Sequence, residues 1–524
     1  MSRPATAALC AALLFASAGG AAAELPARSS ADAPAAAAEA AQPLWLRDGS
    51  PTPQARALAE ILRTADAQGL EPDDYDGPLW GERFSQLAQA HGAAALAKLD
   101  AELSASARRY VKDLAEGRVD PRALHWQLGE MQPRLDVQSA IESLAQAPDV
   151  PAALAALEPK LLIYRRTLRA LQQYREAALH DTGGPLPAWK KVISPGDEWP
   201  GAAQLAQRLS LTGDLASSAA AQTAMPALYS EPLVAAVEQF QRRHGLTADG
   251  RIDRRTWKAL SVPLRARAVQ LQLALERLRW IPRDLAAPLL AVNIPEFRLR
   301  ALDASGHVAL AMKVVVGRAY QHKTPVFSAK VESVLFRPPW NVPADIVRKE
   351  LGPEFSAHPE RAEAQGFELV DGKGAPVEMS PAALARAASG ELRLRQRAGP
   401  HSALGLIKFE LPNRFEVYLH DTPATELFSR TRRDFSHGCI RLEDAAALAR
   451  WVLRDTPGWT PERQAAAMAA EESERATLAQ PLPVLILYST AVVAEGGEVQ
   501  FFDDLYQHDA RLLRALAARR RGAR

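Results

Sequence analysis

Ser436-His437-Gly438-Cys439-Ile440-Arg441 sets a cysteine in a polar, glycine-containing loop, beside one histidine and downstream of a second, His420. The chain has two cysteines, and the other, Cys10, falls inside a segment that reads as a cleaved secretion signal. A lone thiol in an exported chain has no partner for a disulfide, so with two histidines nearby it is a candidate nucleophile. The bland alternative is a buried cysteine acting as a small apolar side chain, and a loop of this composition is a poor place for one.

At 524 residues the chain exceeds one compact core, and two to four domains are expected. A formal charge of +2 points to no polyanion partner, and nothing suggests a nucleic-acid module. Arg519, Arg520, Arg521 and Arg524 make a short basic tail (511–524), expected to be a solvated terminus. Arg3, the apolar run Ala7 to Ala16 and Ala21-Ala22-Ala23 before Glu24 follow the order of a signal peptide over residues 1–23. Leu9 makes Cys10 a poor lipoprotein cysteine, and no later segment reaches the length of a membrane span. The expectation is a soluble periplasmic protein, with an uncleaved N-terminal anchor as the alternative.

Residues 24–43, rich in Ala, Pro, Ser and Glu, read as a flexible linker. From 44 to about 196 the pattern is helical. Leu58, Leu62 and Ala65 share a face ended at Gly69, and Leu96, Leu99, Leu103, Tyr110, Val111 and Leu114 make a stripe stopped at Gly117. A third helix runs through Leu161, Leu162, Tyr164, Leu168 and Leu171. No catalytic cluster lies on these helices, so the region reads as a scaffold. Residues 197–262 form a compact unit, with Ser230 placed to cap a helix through Leu233, Val237 and Phe240 that Gly245 ends. After a linking helix (263–287, with Leu271, Leu275 and Leu278 on one face) the texture turns to strands. They are expected at Leu289–Ile294, Phe297–Leu302, Val308–Val316, Val331–Phe336, Leu406–Glu410 and Phe415–Leu419. This β-rich domain covers 288–510. It is interrupted at about 341–394 by Pro-, Gly- and Ala-rich sequence with short helical pieces, the composition of a cap over a site.

A cysteine nucleophile needs its thiolate, and a free thiol titrates near about 8.5. A histidine lowers that value or accepts the proton during attack. His420 closes the run Val417-Tyr418-Leu419, so a strand presents it at the edge of the sheet, whereas His437 shares the loop of Cys439. Gly438 permits close backbone approach to a carbonyl, and Arg441 can pair with a carboxylate or fix the loop. A zinc centre built from His420, His437 and Cys439 lacks the usual spacings, since His437 and Cys439 stand too close together for two ligands of one ion.

The series Phe240-Gln241, His244-Gly245-Leu246, Asp249-Gly250, Ile252-Asp253, Thr256-Trp257 and Ala259-Leu260 resembles the small three-helix peptidoglycan-binding domain. Tyr418-Leu419-His420-Asp421-Thr422-Pro423, Leu427-Phe428 and the Ser436–Arg441 loop resemble the active site of L,D-transpeptidases, cysteine enzymes of peptidoglycan cross-linking. Further likeness to the large YcbB-type subgroup lies in Gly317 with Thr324-Pro325, Pro338-Pro339-Trp340-Asn341-Val342-Pro343, Gly399-Pro400 with Ala403-Leu404-Gly405, and Lys408-Phe409. Tyr488 with Thr490-Ala491, and Asp504-Leu505-Tyr506 with Asp509, add to it near the C-terminus. One departure is Arg337, where the subgroup more often has Asn.

The resemblance implies an α+β multidomain chain: a helical scaffold with an inserted three-helix module, and a β-rich, YkuD-like (β-sandwich-like) catalytic domain with a cap insertion. It implies Cys439 as nucleophile and His420 as general base, with His437, Gly438 and Tyr418 lining the oxyanion region. Ser436, Arg441 and Trp340 join Tyr418 on the substrate side, with Trp340 at the mouth beneath the cap. The reaction implied is 3→3 cross-linking through a Cys thioester, from a tetrapeptide stem to a diaminopimelate amine, with no cofactor or metal. Partners are peptidoglycan stem peptides and glycan, and other cell-wall enzymes, with no nucleic acid and no membrane span beyond the signal segment. The alternatives are an L,D-carboxypeptidase or an enzyme attaching protein to peptidoglycan on the same site, and an inactive wall-binding scaffold.

Overall fold

Helices with one apolar stripe must bury it against a neighbour, and here they do so in several separate cores that flank a β-rich body. The computed structural model describes residues 43–523 apart from 88–91, 130–134, 217–226, 283–284, 286 and 400. The signal segment with Cys10, all of the linker but Pro43, Pro400 and Arg524 lie outside the described residues. Among the described residues no helix is long and apolar enough to cross a membrane.

Helix α1 (Pro53–Arg63) starts at Thr52, whose hydroxyl accepts from the Ala55 N–H, and buries Leu58 and Leu62. Gly69 does not end α1; it closes the following 3₁₀ turn Ala65–Gln68 at φ 71°. Helix α2 (Ala93–Glu116) buries Leu99, Leu103, Tyr110, Val111 and Leu114 and stops at Gly117, as its stripe predicts. A Cβ at Gly117 would lie 2.5 Å from the Trp280 indole nitrogen, so only glycine lets the chain turn there.

Helix α3 (Val137–Gln146) completes this scaffold core, and α4 (Leu162–His180) leads out of it. A three-helix module follows, built from α5 (Ala202–Leu211), α6 (Glu231–Arg243) and α7 (Arg254–Leu260) around Leu205, Leu209, Leu233, Val237 and Phe240. Its core reaches back to Leu186 and Ile193, and Ile193 and Ile252 exchange backbone hydrogen bonds, so the packed unit begins before residue 197. Ser230 stands at the N-cap of α6, but its hydroxyl makes no capping bond. Helix α8 (Leu264–Arg279) then packs on α4, making the module an insertion between two paired helices.

Glu276 of α8 is fully buried. Its carboxylate accepts from the Arg118 N–H at 2.5 Å, the Val119 N–H at 3.0 Å and Arg118 Nε at 3.2 Å. That carboxylate ties the loop after α2 to the helix that enters the β-rich domain.

The catalytic-region strands are β1 (Leu289–Asn293), β2 (Arg298–Leu302), β3 (Val308–Gly317), β4 (Phe327–Phe336), β5 (Trp340–Asn341), β6 (Phe367–Val370), β7 (Pro376–Val377), β8 (Arg393–Gln396), β9 (Ile407–Glu410), β10 (Leu419–His420), β11 (Asp434–Ser436), β12 (Ile440–Leu442) and β13 (Glu474–Leu487). Nine of them form one sheet in the order β11-β3-β12-β10-β9-β4-β13-β1-β2. Strand β2 also pairs with β3, so the sheet closes on itself around Val314, Val334, Phe336, Phe409, Leu419, Ile440, Val484 and Ile486. The sheet's longest strand, β13, is absent from the pattern read off the sequence. Pro481 and Pro483 break its strand signature, and its register shifts between Thr477 and Leu482. The strand expected at Phe415–Leu419 shrinks to β10. Before it, Glu416 takes φ 54° and Asn413 Oδ1 accepts from the Phe415 and Val417 N–H groups, which makes a turn.

The cap is a unit of its own. Strands β5-β8-β6-β7 form a second sheet over a core of Val347, Phe355, Ala362, Phe367, Leu384 and Leu394. Its sheet runs from Trp340 to Gln396, slightly beyond the expected limits.

The basic tail is not a solvated terminus. His508–Ala523 is a helix whose Leu512 and Leu516 enter the core of the closed sheet. Arg519 reaches Asp113 at 2.6 Å, and Arg520 reaches Glu71 at 3.0 Å and Asp74 at 3.3 Å. Acidic groups on the scaffold thus face two arginines of the run, Arg519 and Arg520.

Removing Glu276 leaves Arg118 and two backbone donors buried without their acceptor. Glu276→Ala is expected to cost about 3–5 kcal/mol, seen as a lower melting temperature. An unchanged Tm contradicts the role given to Glu276.

Candidate active site

Parallel pairing of β10 with β12 sets the site. Leu419 lies opposite Ile440 and His420 opposite Arg441, and the Ile440 N–H donates to the Tyr418 carbonyl at 3.0 Å. Cys439, one residue before Ile440, thereby comes beside Tyr418. On its other side β10 runs antiparallel to β9, with Lys408 opposite His420. His420 therefore stands inside the sheet and not at its edge, and it is 4% exposed.

The cysteine loop is held from within and from behind. Gly438 takes φ 123°, a conformation side chains rarely adopt. Ser436 Oγ donates to the Cys439 carbonyl at 2.5 Å and accepts from the Gly438 N–H at 3.1 Å. Both of these bonds stay within the loop and Ser436 is 2% exposed, so its part is to shape the loop, where the sequence placed it against substrate. Thr324 Oγ1 donates to the Gly438 carbonyl at 2.7 Å, and Tyr506 donates to the Gly317 carbonyl at 2.5 Å. A Cβ on Gly317 would come within 1.9 Å of the His322 carbonyl oxygen, which excludes every other residue there.

Cys439 carries a free, partly exposed thiol, with Sγ 3.8 Å from the Glu416 carbonyl. Burial pushes the thiol above its ordinary range, and this outweighs hydrogen bonds from Tyr418 and the charges of Lys408 and Arg441. The Tyr418 side chain lies beside both Cys439 and Trp340 and interacts with each. Burial pushes His420 down to about 3, with the Arg441 and Lys408 charges adding to the effect. Its Nδ1 is 2.6 Å from the Asp421 carbonyl, which can only accept, so Nδ1 carries the proton and Nε2 keeps a lone pair. The orienting group is thus the Asp421 backbone. The Asp421 carboxylate instead accepts from the Leu406 N–H at 2.9 Å, in the space that Gly405 leaves free of a Cβ.

Arg441 has a buried Nε without a partner among the described residues, which suits it to an incoming carboxylate. Lys408, over the Tyr418 ring at 4.5 Å, belongs to the Lys408-Phe409 likeness but is given no site role by the sequence. The alternation Ile407-Lys408-Phe409-Glu410 carries its signal, since two buried apolar residues flank a lysine that must face the other way. Trp340 is part of the cap sheet, 6.2 Å from Phe367, and meets the catalytic body through Tyr418. His437 is engaged elsewhere. Its Nε2 lies 2.6 Å from Glu350 Oε1 of the cap, and its ring centroid is 4.7 Å from that of His322. The structure thus gathers Cys439, His420, Tyr418, Gly438, Arg441 and Trp340 at one place, with His437 on the cap side.

Three stretches match family models. Residues 37–171 match a scaffold domain, 203–260 a "Putative peptidoglycan binding domain", and 287–460 an L,D-transpeptidase catalytic domain. The chain is also 33% identical over 246 residues to a "Putative L,D-transpeptidase" of Haemophilus influenzae. That match covers 46% of this chain and 48% of the other, so the chain spans about half the length of the curated relative it matches.

Two outcomes follow from this geometry. With a raised thiol and a neutral His420, alkylation of Cys439 by iodoacetamide should climb steadily from about pH 6 to about pH 9. A plateau across that range, the mark of a preformed thiolate–imidazolium pair, contradicts the assignment. Arg337 sits at φ 51° with its N–H on the Leu406 carbonyl, in the left-handed region that asparagine tolerates better. Arg337→Asn should therefore gain about 1 kcal/mol, read as a higher Tm.

Proposed function

On a chain that carries an L,D-transpeptidase catalytic domain and a peptidoglycan-binding domain, we propose that Cys439 forms 3→3 peptidoglycan cross-links by two-step acyl transfer. The observation that carries the reading is a buried, neutral His420 whose Nδ1 is held by the Asp421 carbonyl, on the strand paired with the one that follows Cys439.

In the first step His420 Nε2 takes the thiol proton as Cys439 Sγ bonds to the carbonyl carbon of the third stem residue. The oxyanion forms beside the glycine-opened backbone at Gly438 and Cys439. Collapse breaks the bond to the terminal D-alanine, whose amine leaves with the proton from His420, and a thioester remains. In the second step the side-chain amine of diaminopimelate on a neighbouring stem attacks the thioester, His420 takes its proton, and the thiol is released with the cross-link formed. Splitting one amide exchange into two acyl transfers lowers each barrier. Arg441 meets a substrate carboxylate, and Trp340 and Tyr418 close the mouth under the cap, which limits attack by water. The inserted module holds the glycan or peptide near the site. The signal-like order of Arg3, the apolar run Ala7 to Ala16 and Ala21-Ala22-Ala23 supports a periplasmic reaction.

Purified tetrapeptide muropeptides incubated with the protein should yield a dimer and free D-alanine by mass spectrometry, and Cys439→Ala should yield neither. Tripeptide without dimer would make the protein a carboxypeptidase. His420→Asn should lower kcat by roughly 10²–10⁴-fold. A carbapenem adduct on Cys439 tests the nucleophile directly, and its absence counts against an active site here.

A further inference from the structure

Three side chains meet at the seam between the cap and the cysteine loop. Glu350 lies in the π-helical turn Val347–Leu351 of the cap, His437 in the loop before Cys439, and His322 in the turn between β3 and β4. One donor atom from each lies within 4.8 Å of the others. His437 Nε2 is 2.6 Å from Glu350 Oε1, and the two imidazole rings stand 4.7 Å apart at 49°.

Two imidazoles and a carboxylate are the donor set of a zinc-class ion with an open position. Such an ion binds at about 2.0–2.1 Å, which spaces tetrahedral donors roughly 3.3 Å apart, so the three groups need only shift slightly to enclose it. Two of the donors are held in place beforehand. The Arg318 N–H donates to the Ser436 carbonyl at 3.0 Å, the His322 N–H donates to the Arg318 carbonyl at 3.3 Å, and Thr324 Oγ1 reaches the Gly438 carbonyl at 2.7 Å. A backbone bond before His322 and a side-chain bond after it thus tie it to the loop that carries His437. The third donor, Glu350, comes from the cap.

We propose that His322, His437 and Glu350 bind one divalent ion of the zinc class and that the ion clasps the cap to the cysteine loop. The ion replaces the proton between His437 Nε2 and Glu350, and water fills the remaining coordination. Arg318 and Lys349 act on His322 from nearby, so the ion binds against two positive charges and the affinity is moderate. Bound, it shields the thiol of Cys439. Neither His420 nor Cys439 belongs to this set, so it differs from the zinc centre weighed from the sequence. The binding does not depend on which acyl acceptor the thioester meets.

The test is competition of the protein for Zn²⁺ against a chromophoric chelator, with the iodoacetamide rate at Cys439 as second readout. Native protein and Cys439→Ala should bind one equivalent alike, while His322→Ala and Glu350→Gln each weaken binding by at least roughly tenfold. Zinc should slow alkylation of native protein and leave that of His322→Ala unaltered. Loss of binding in Cys439→Ala, binding unchanged in either of the other variants, or no binding at micromolar zinc would overturn the proposal.

Discussion

Two residues of parallel strand pairing, Leu419 with Ile440 and His420 with Arg441, decide where the reactive groups lie. Side chains alternate along a strand, so a slip of one residue would turn His420 to the other face and Leu419 toward the thiol. So short a pairing is weak by itself. Its neighbours hold it: β9 pairs with β10 on one side and β3 with β12 on the other, within a sheet closed through β2 and β3. Buried Leu419 and Ile440 add the penalty that any other register would incur.

The same burial sets the electrostatics. A proton is hard to add to His420 and hard to remove from Cys439, so both groups rest neutral. Tyr418, Lys408 and Arg441 all favour the thiolate, yet none fully offsets desolvation. The nucleophile therefore gains its charge only as the proton moves to His420. A protonated thiol is also the less oxidisable form of a free cysteine.

What was legible in the sequence was local. Leu99, Leu103 and Tyr110 mark their helix by spacing, Gly117 marks its end, and the polar surroundings of Cys439 already set it apart from a core cysteine. What escaped was set by distant partners. β13 is a strand because β4 and β1 flank it, in spite of Pro481 and Pro483. Arg519 and Arg520 are structural because Asp113, Glu71 and Asp74 face them, although the run reads as a loose tail. Glu350 and His322 carry no signal near the cysteine motif, because only folding of the cap and the turn after β3 brings them to His437.

The position of the three-helix module between α4 and α8 has a bearing on how the chain folds. Those two helices are far apart in sequence, and pairing them from an open chain means closing a long loop at a considerable entropic cost. The module's own contacts are mostly local, with its turn at Asp249-Gly250 fixed by Gln241, and local contacts form early. Once folded, it replaces much of that loop with packed structure whose ends lead into α4 and α8. The insertion then acts as a template for closing the helical pair, and stretches that look like a burden on contact order become the quickest route through it.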